Sequence, residues 1–218
     1  MDTDNLSGIR ADGGDLLDDR AVFSSDDDAR TSDYLGPLHA TAVELFLIHG
    51  YESVSLRQIA DQAGVKQGSI HKATGGKDEL LAQLLLDYEA GLLDQLSTTV
   101  PKSLGTLQAL DRFVEVVVSF GVRRRDHHRL TRREVHRLSG RHAEELKQLK
   151  GKQLNRLWEI LAVGAAKKVF HRDDTRFIAK TIFATLDGVL LNRTVSPTHL
   201  DEFLPILQRM ARKFASVQ

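Results

Sequence analysis

The chain has no cysteine among its 218 residues. Disulfides, thiolate nucleophiles and cysteine-bound metal are therefore excluded, and the composition suits a reducing compartment such as the cytoplasm. Only four prolines occur, one of them Pro101 between two helical patterns, which leaves room for long helices. No run of 18 or more apolar residues exists, so no segment reads as a membrane span. The N-terminal stretch is acidic and lacks the apolar core of a secretion signal. Period-two alternation is not sustained anywhere, and no sheet is expected. A phosphate loop, a dinucleotide fingerprint and a nucleophile–base pattern are all missing, so neither catalysis nor a cofactor is expected. His127, His128, His136 and His142 lack tight ligand spacing with carboxylates, and no metal site is expected.

What is present is a balanced charge that is strongly segregated. Residues 1–33 carry ten Asp and three Arg, a net of −7. Residues 34–90 carry four basic and seven acidic groups, a net of −3. Residues 112–156 carry thirteen basic and five acidic groups, a net of +8. The first segment, rich in Asp, Gly and Ser, reads as a disordered acidic tail, because it buries too little apolar surface to offset its ordering entropy. The reading that competes with a plain solvated leader is an acidic arm directed at a basic surface.

Order is expected from about Tyr34. Leu38, Ala42, Leu45, Phe46 and Ile48 fall on one side of a helix stopped by Gly50. Ser55-Leu56-Arg57-Gln58 reads as a capping box. A short helix follows with Leu56, Ile59, Ala60 and Ala63 inward, ended by Gly64. A second short helix is expected around 67–72, broken by Gly75-Gly76, and a long one from Lys77. Further helices are expected over 107–125, 129–138 and 141–170, then from Asp173 or Asp174 to about Arg193. A last one opens at Ser196-Pro197 and carries Leu200 to Phe214.

Two short helices joined by a glycine turn make a bihelical unit. Ala60 is small where they cross, and Val65 and Ile70 pack the second onto the first. The outer face of the second is left free for a DNA major groove. These residues resemble the DNA-binding segment of the TetR (tetracycline-repressor) family. The resemblance is carried by Ala42, Leu45-Phe46, Gly50-Tyr51, Ser55, Ile59-Ala60, Ala63-Gly64-Val65, Gly68-Ser69-Ile70-His71 and Lys77-Asp78-Glu79-Leu80, without a gap, over roughly a fifth of the chain. Three positions depart: His71 stands where the family usually has Tyr, Thr74 where it has Phe, and Lys66 where a Ser or Thr cap is common. Loss of the apolar anchor at Thr74 is expected to loosen the domain by about 1–3 kcal/mol unless a neighbour fills the gap.

The resemblance implies an all-α protein: a tail over 1–33, a three-helix DNA-binding domain over 34–80, and a helical effector-binding and dimerisation domain over 81–218. It implies a transcriptional regulator, a repressor released from double-stranded operator DNA by a small molecule. Gln67, Ser69 and Lys72 are then expected at or near base edges. Ser55, His71 and Lys77 are expected on phosphates, with Arg57 and Lys66 adding charge beside them. The alternative is a ligand-binding or scaffold protein of the same fold that no longer reads DNA, and the −3 balance over 34–90 and Thr74 motivate it.

An effector pocket is expected around Phe113, Val116, Val117, Phe120, Glu134, Leu157, Trp158 and Leu161, although each apolar side chain there serves equally well as core. The Arg123–Arg141 block is read either as a salt-bridged face or as an anion site. The arrangement of Glu134, Trp158 and Val169-Phe170 resembles family members that sense acyl-coenzyme A thioesters, so an acyl-coenzyme A or another lipophilic anion is the expected effector. Ile178, Ile182, Leu186, Leu190, Phe203, Leu207 and Met210 are expected in a homodimer interface built from the last two helices. The competing reading is that both stripes close the monomer's own core.

Overall fold

A computed structural model describes residues 25–171, 174–192 and 195–216, without the side chains of 25–35, 67–69 and 73. Among the described residues there are nine α-helices and no strand: α1 (Ser25–His49), α2 (Leu56–Ala63), α3 (Gln67–Thr74), α4 (Lys77–Thr99), α5 (Thr106–Arg123), α6 (Arg125–Glu134), α7 (Gly140–Ala166), α8 (Thr175–Leu191) and α9 (Leu200–Ala215). The tail expected over 1–33 lies outside the described residues up to 24, but α1 starts at Ser25, nine residues before Tyr34. In sequence, Ser25-Asp26-Asp27-Asp28 is an acidic opening of the kind that favours a helix N-terminus.

Local chemistry sets the boundaries. The Ser55–Gln58 capping box forms: Gln58 N donates to Ser55 Oγ at 3.2 Å, and Ser55 N donates to Gln58 Oε1 at 2.8 Å. Gly64 ends α2 with φ 69°, and Val65 N returns to Ala60 O at 2.9 Å. That left-handed turn favours glycine because a Cβ would be strained there. Asp174 caps α8, its Oδ1 accepting from Arg176 N and Phe177 N at 3.0 Å each. The helix expected to run to Arg193 ends at Leu191, and the Ser196-Pro197 start is a single 3₁₀ turn, Pro197–His199, leading into α9.

Two apolar cores result. One joins α1, α2, α3 and the first half of α4 through Phe46, Ile59, Ile70 and Leu80, and takes in Leu130 of α6 and Leu146 of α7. The other joins the second half of α4 to α5, α7, α8 and α9 through Tyr88, Phe113, Leu157, Ile182 and Leu207. Helix α4 therefore runs through both cores, and α6 and α7 brace the first from the side of the second.

Candidate DNA-binding face and effector region

The bihelical unit is built as its residues require. Ile59, Ala60 and Ile70 are buried between α1, α2 and α4. On the opposite side Arg57, Lys66, His71 and Lys72 are exposed. Backbone places Gln67 and Ser69 in the first turn of α3; their side chains lie outside the described residues. Lys66 precedes α3 without a side-chain cap. Arg57 has only a loose partner, Asp61 at 3.8 Å.

Two of the expected phosphate contacts are engaged inside the domain. Ser55 Oγ accepts from Gln58 N at 3.2 Å and donates to Gln58 Oε1 at 2.9 Å, so its one O–H is engaged in the cap. Lys77 Nζ donates to Tyr51 O at 3.1 Å and sits 4.3 Å from the centre of the Tyr51 ring. Tyr51 hydrogen-bonds Asp78 through its hydroxyl. Thr74 is buried, but its hydroxyl is satisfied: it donates to Ile70 O at 2.8 Å and accepts from Gly76 N at 3.4 Å.

Glu134, expected in the effector pocket, stands instead at the junction of the two domains. It is buried between Arg133 Nε at 2.7 Å and Arg137 Nε at 2.6 Å. Arg133 also donates to Phe46 O and Leu47 O near the C-terminal end of α1. Arg137 pairs with Glu52 and lies 4.9 Å from the Tyr51 ring centre. Carbonyls at a helix C-terminus carry partial negative charge, which is why arginines gather there.

The other side of α6 enters a buried polar cluster that the sequence reading missed. Arg132 bridges Glu89 of α4 at 3.1 Å and Asp187 of α8 at 2.6 Å. Gln153 of α7 donates to Glu89 Oε2 at 2.9 Å, and Tyr88 Oη lies 2.9 Å from His128 Nδ1. Burial first, and then the Arg132 charge, push His128 down to about 4, so its ring is neutral near pH 7. The signal was Glu89 itself, a carboxylate inside the Leu85–Leu92 apolar stripe, which needs a buried partner. Much of the basic block is thus consumed by ion pairs, in line with the salt-bridged reading.

Of the other expected pocket residues, Phe113, Val116, Val117, Phe120, Leu157 and Leu161 are packed into the second core. Trp158 does line a cavity, of about 330 Å³, with Val100, Pro101, Lys102, Leu104, Thr106, Ala109, Arg156, Glu159, Ile160, Ala162, Val163 and Lys167. It opens where the end of α4, the start of α5 and the second half of α7 meet.

Part of the expected dimer stripe turns inward in the single chain. Ile182, Leu186, Leu190 and Leu207 are buried within the single chain, and Ile178, Phe203 and Met210 pack against the same core. The reason is geometric: α8 must close against α5, and Leu190 sits over Gly121 with its Cδ1 2.4 Å from where a Cβ would be. The outward faces of α8 and α9 instead present Phe177 at 67% exposure, Ile206 at 50%, Leu191 at 46% and Phe214 at 43%. Ala184 and Gly188 lie between Phe177 and Leu191 on the same exposed side of α8.

Among the described residues no helix is long and apolar enough to cross a membrane. No curated protein sequence matches the chain. Many solved structures share its fold. A bacterial regulatory protein of the tetR family from Rhodococcus RHA1 aligns with TM-score 0.77 and 19% identity, over 85% of this chain and 98% of that one. The TetR-family transcriptional regulator PfmR of Thermus thermophilus aligns with TM-score 0.74 and 20% identity, over 81% and 97%. The transcriptional regulator FadR of Bacillus subtilis, in complex with stearoyl-CoA, aligns with TM-score 0.64 and 19% identity, over 82% and 95%. The family profile of bacterial regulatory proteins, tetR family, matches residues 38–84, and that of the tetracyclin repressor-like C-terminal domain matches residues 104–191. With both characteristic parts present in order, the chain belongs to the TetR family of transcriptional regulators.

Proposed function

We propose that this chain is a ligand-responsive DNA-binding repressor, released from its operator by a small-molecule effector. The observation that carries this reading is the α2–α3 unit. Ile59, Ala60 and Ile70 hold it from behind, while Lys66, His71 and Lys72 are exposed in front. Gln67, Ser69 and Lys72 then read bases, and Lys66, Arg57 and His71 meet phosphates. Ser55 and Lys77 act from within, as cap and brace. The reading head spans 34–80, and 81–218 form the effector-binding and dimerisation part. The effector is an acyl-coenzyme A or another lipophilic anion, as borne by the FadR relative.

Two such heads need a dimer to meet successive half-sites. The outward apolar faces of α8 and α9 support an isologous pairing, since patches of this kind mark interfaces. Effector and operator are coupled only to the extent that each binds one arrangement of the heads better than the other. Helix α4, continuous from beside α3 to the cavity, and the arginine tether from α6 to α1 are the elements able to carry that difference.

A second reading, a ligand-binding protein of this fold that no longer reads DNA, is favoured by the −3 balance over 34–90 and by the internal engagement of Ser55 and Lys77. Footprinting on the gene's own upstream region separates the two. Protection of a near-palindrome supports the repressor. No protection at low salt overturns it.

A further inference from the structure

We infer that the cleft at the far end of α4 is the effector site, and that it takes a small amphiphile with an apolar body and an anionic head, carboxylate or phosphate. This rests on reading the C-terminal domain as the sensing part of the molecule. The 23 residues of α4 place the cleft about 33 Å from the DNA-facing end of that helix.

The interior of the cleft is apolar, formed by Leu104, Ala109, Trp158, Ile160 and Val163. Its volume, about 330 Å³, stands at the small end of the range for ligand sites, roughly 300–1,000 Å³. A short chain or a compact ring fills it; a long acyl chain does not. Trp158 is fixed as a wall: its Nε1 donates to Thr175 Oγ1 at 3.1 Å, and the Arg176 guanidinium lies 4.4 Å from the ring centre.

The mouth selects charge. Lys102, Arg156 and Lys167 stand there against one carboxylate, Glu159. Lys102 Nζ at 3.9 Å and Arg156 Nη1 at 3.5 Å converge on the same Glu159 oxygen, Oε2. Three cations against one carboxylate leave the mouth net positive. Arg156 is held by a hydrogen bond to Val100 O. A ligand carboxylate or phosphate is stabilised at such a mouth. A cationic or neutral amphiphile is not.

Trp158 is the only tryptophan of the chain, so its emission reports the cleft directly. The full-length protein is titrated with decanoate, decanoyl-coenzyme A, decanol and decyltrimethylammonium, following Trp158 emission and thermal stability. Decanoate or its thioester is expected to change the emission at least tenfold more tightly than decanol, with no response to the cation. Whichever of the two anions binds identifies the source of the head group, carboxylate or coenzyme phosphate. The exposed pair K102E/K167E is expected to weaken the anion tenfold or more and leave decanol unchanged. Equal binding of all four probes, a preference for the cation, or an indifferent K102E/K167E variant overturns the assignment. So does a change of oligomeric state in that variant, which would mean that protein covers the cleft. Operator footprinting on the same samples keeps the two claims apart. Protection with no anion response sinks the cleft alone, and an anion response with no protection sinks the repressor reading alone.

Discussion

Charged side chains away from water are where this molecule is most demanding. Glu89, Arg132 and Asp187 hold one another across three helices, with His128 and Gln153 against them. Removing one member leaves the others uncompensated, which is far more costly than the intact cluster is stabilising. His128 gives a pH test. Its folded value is depressed to about 4 by burial and by Arg132, whereas an unfolded histidine titrates near about 6.5. The unfolded chain therefore binds the extra proton first. Stability is full above about pH 6.5 and falls as pH drops towards 4, by up to about 1.4 kcal/mol per pH unit per proton. His39 and His127 are depressed by burial too and act in the same direction. Urea midpoints measured between pH 7 and 4 should show this decline, and H128Q should flatten part of it. An unchanged slope would mean that His128 is solvated. At this scale the sequence was informative for local roles and blind to long-range pairs. The capping box and the Gly64 turn depend on neighbours within five residues and were legible. Glu134 was placed by a loose family likeness, and its partners lie on either side of it in sequence and on α1 through Arg133.

Helices packed together impose tighter rules than periodicity can state. In α7, Gly164 lies under Phe170: an added Cβ would stand 2.1 Å from Phe170 Cδ2 and 2.7 Å from Thr106 Cγ2. Gly151, on the same helix, has open space around the equivalent position. Alanine at either site gains about 1 kcal/mol of helix propensity. At Gly164 the overpacking term, about 1–3 kcal/mol, wins, because the Phe170 ring is itself buried. G151A should raise the melting temperature and G164A should lower it; both moving the same way would contradict this packing. The apolar stripe 178–182–186–190 on α8 was legible, but its direction was not. Two stripes on one helix, one large and one interrupted by Ala184 and Gly188, satisfy the same sequence pattern. The packing of Leu190 over Gly121 on α5 marks which of them faces the core. At Thr74 the sequence shows a small polar residue in an apolar setting but not how it is accommodated: its hydroxyl donates to Ile70 O and accepts from Gly76 N.

For the molecule as a whole, the TetR architecture was visible from one fifth of the sequence because that fifth carries glycine, cap and core residues at fixed spacing. The effector region was not, since a filled core and a cavity wall have the same composition. The quaternary proposal is open to direct test: F177E/I206E should convert the protein to a monomer by sedimentation while keeping its helical circular dichroism, and should lower operator affinity at least tenfold. A variant that stays dimeric would place the interface elsewhere. The central claim, that the outer face of α3 meets DNA, is tested most directly by the salt dependence of operator binding in the wild type, K66A and K72A. Log affinity should fall linearly with log salt, and K66A should reduce the slope by about 1, as loss of one phosphate contact requires. K72A should weaken binding and relax sequence preference at one base position. Operator binding with the same slope, strength and selectivity in all three proteins would contradict it.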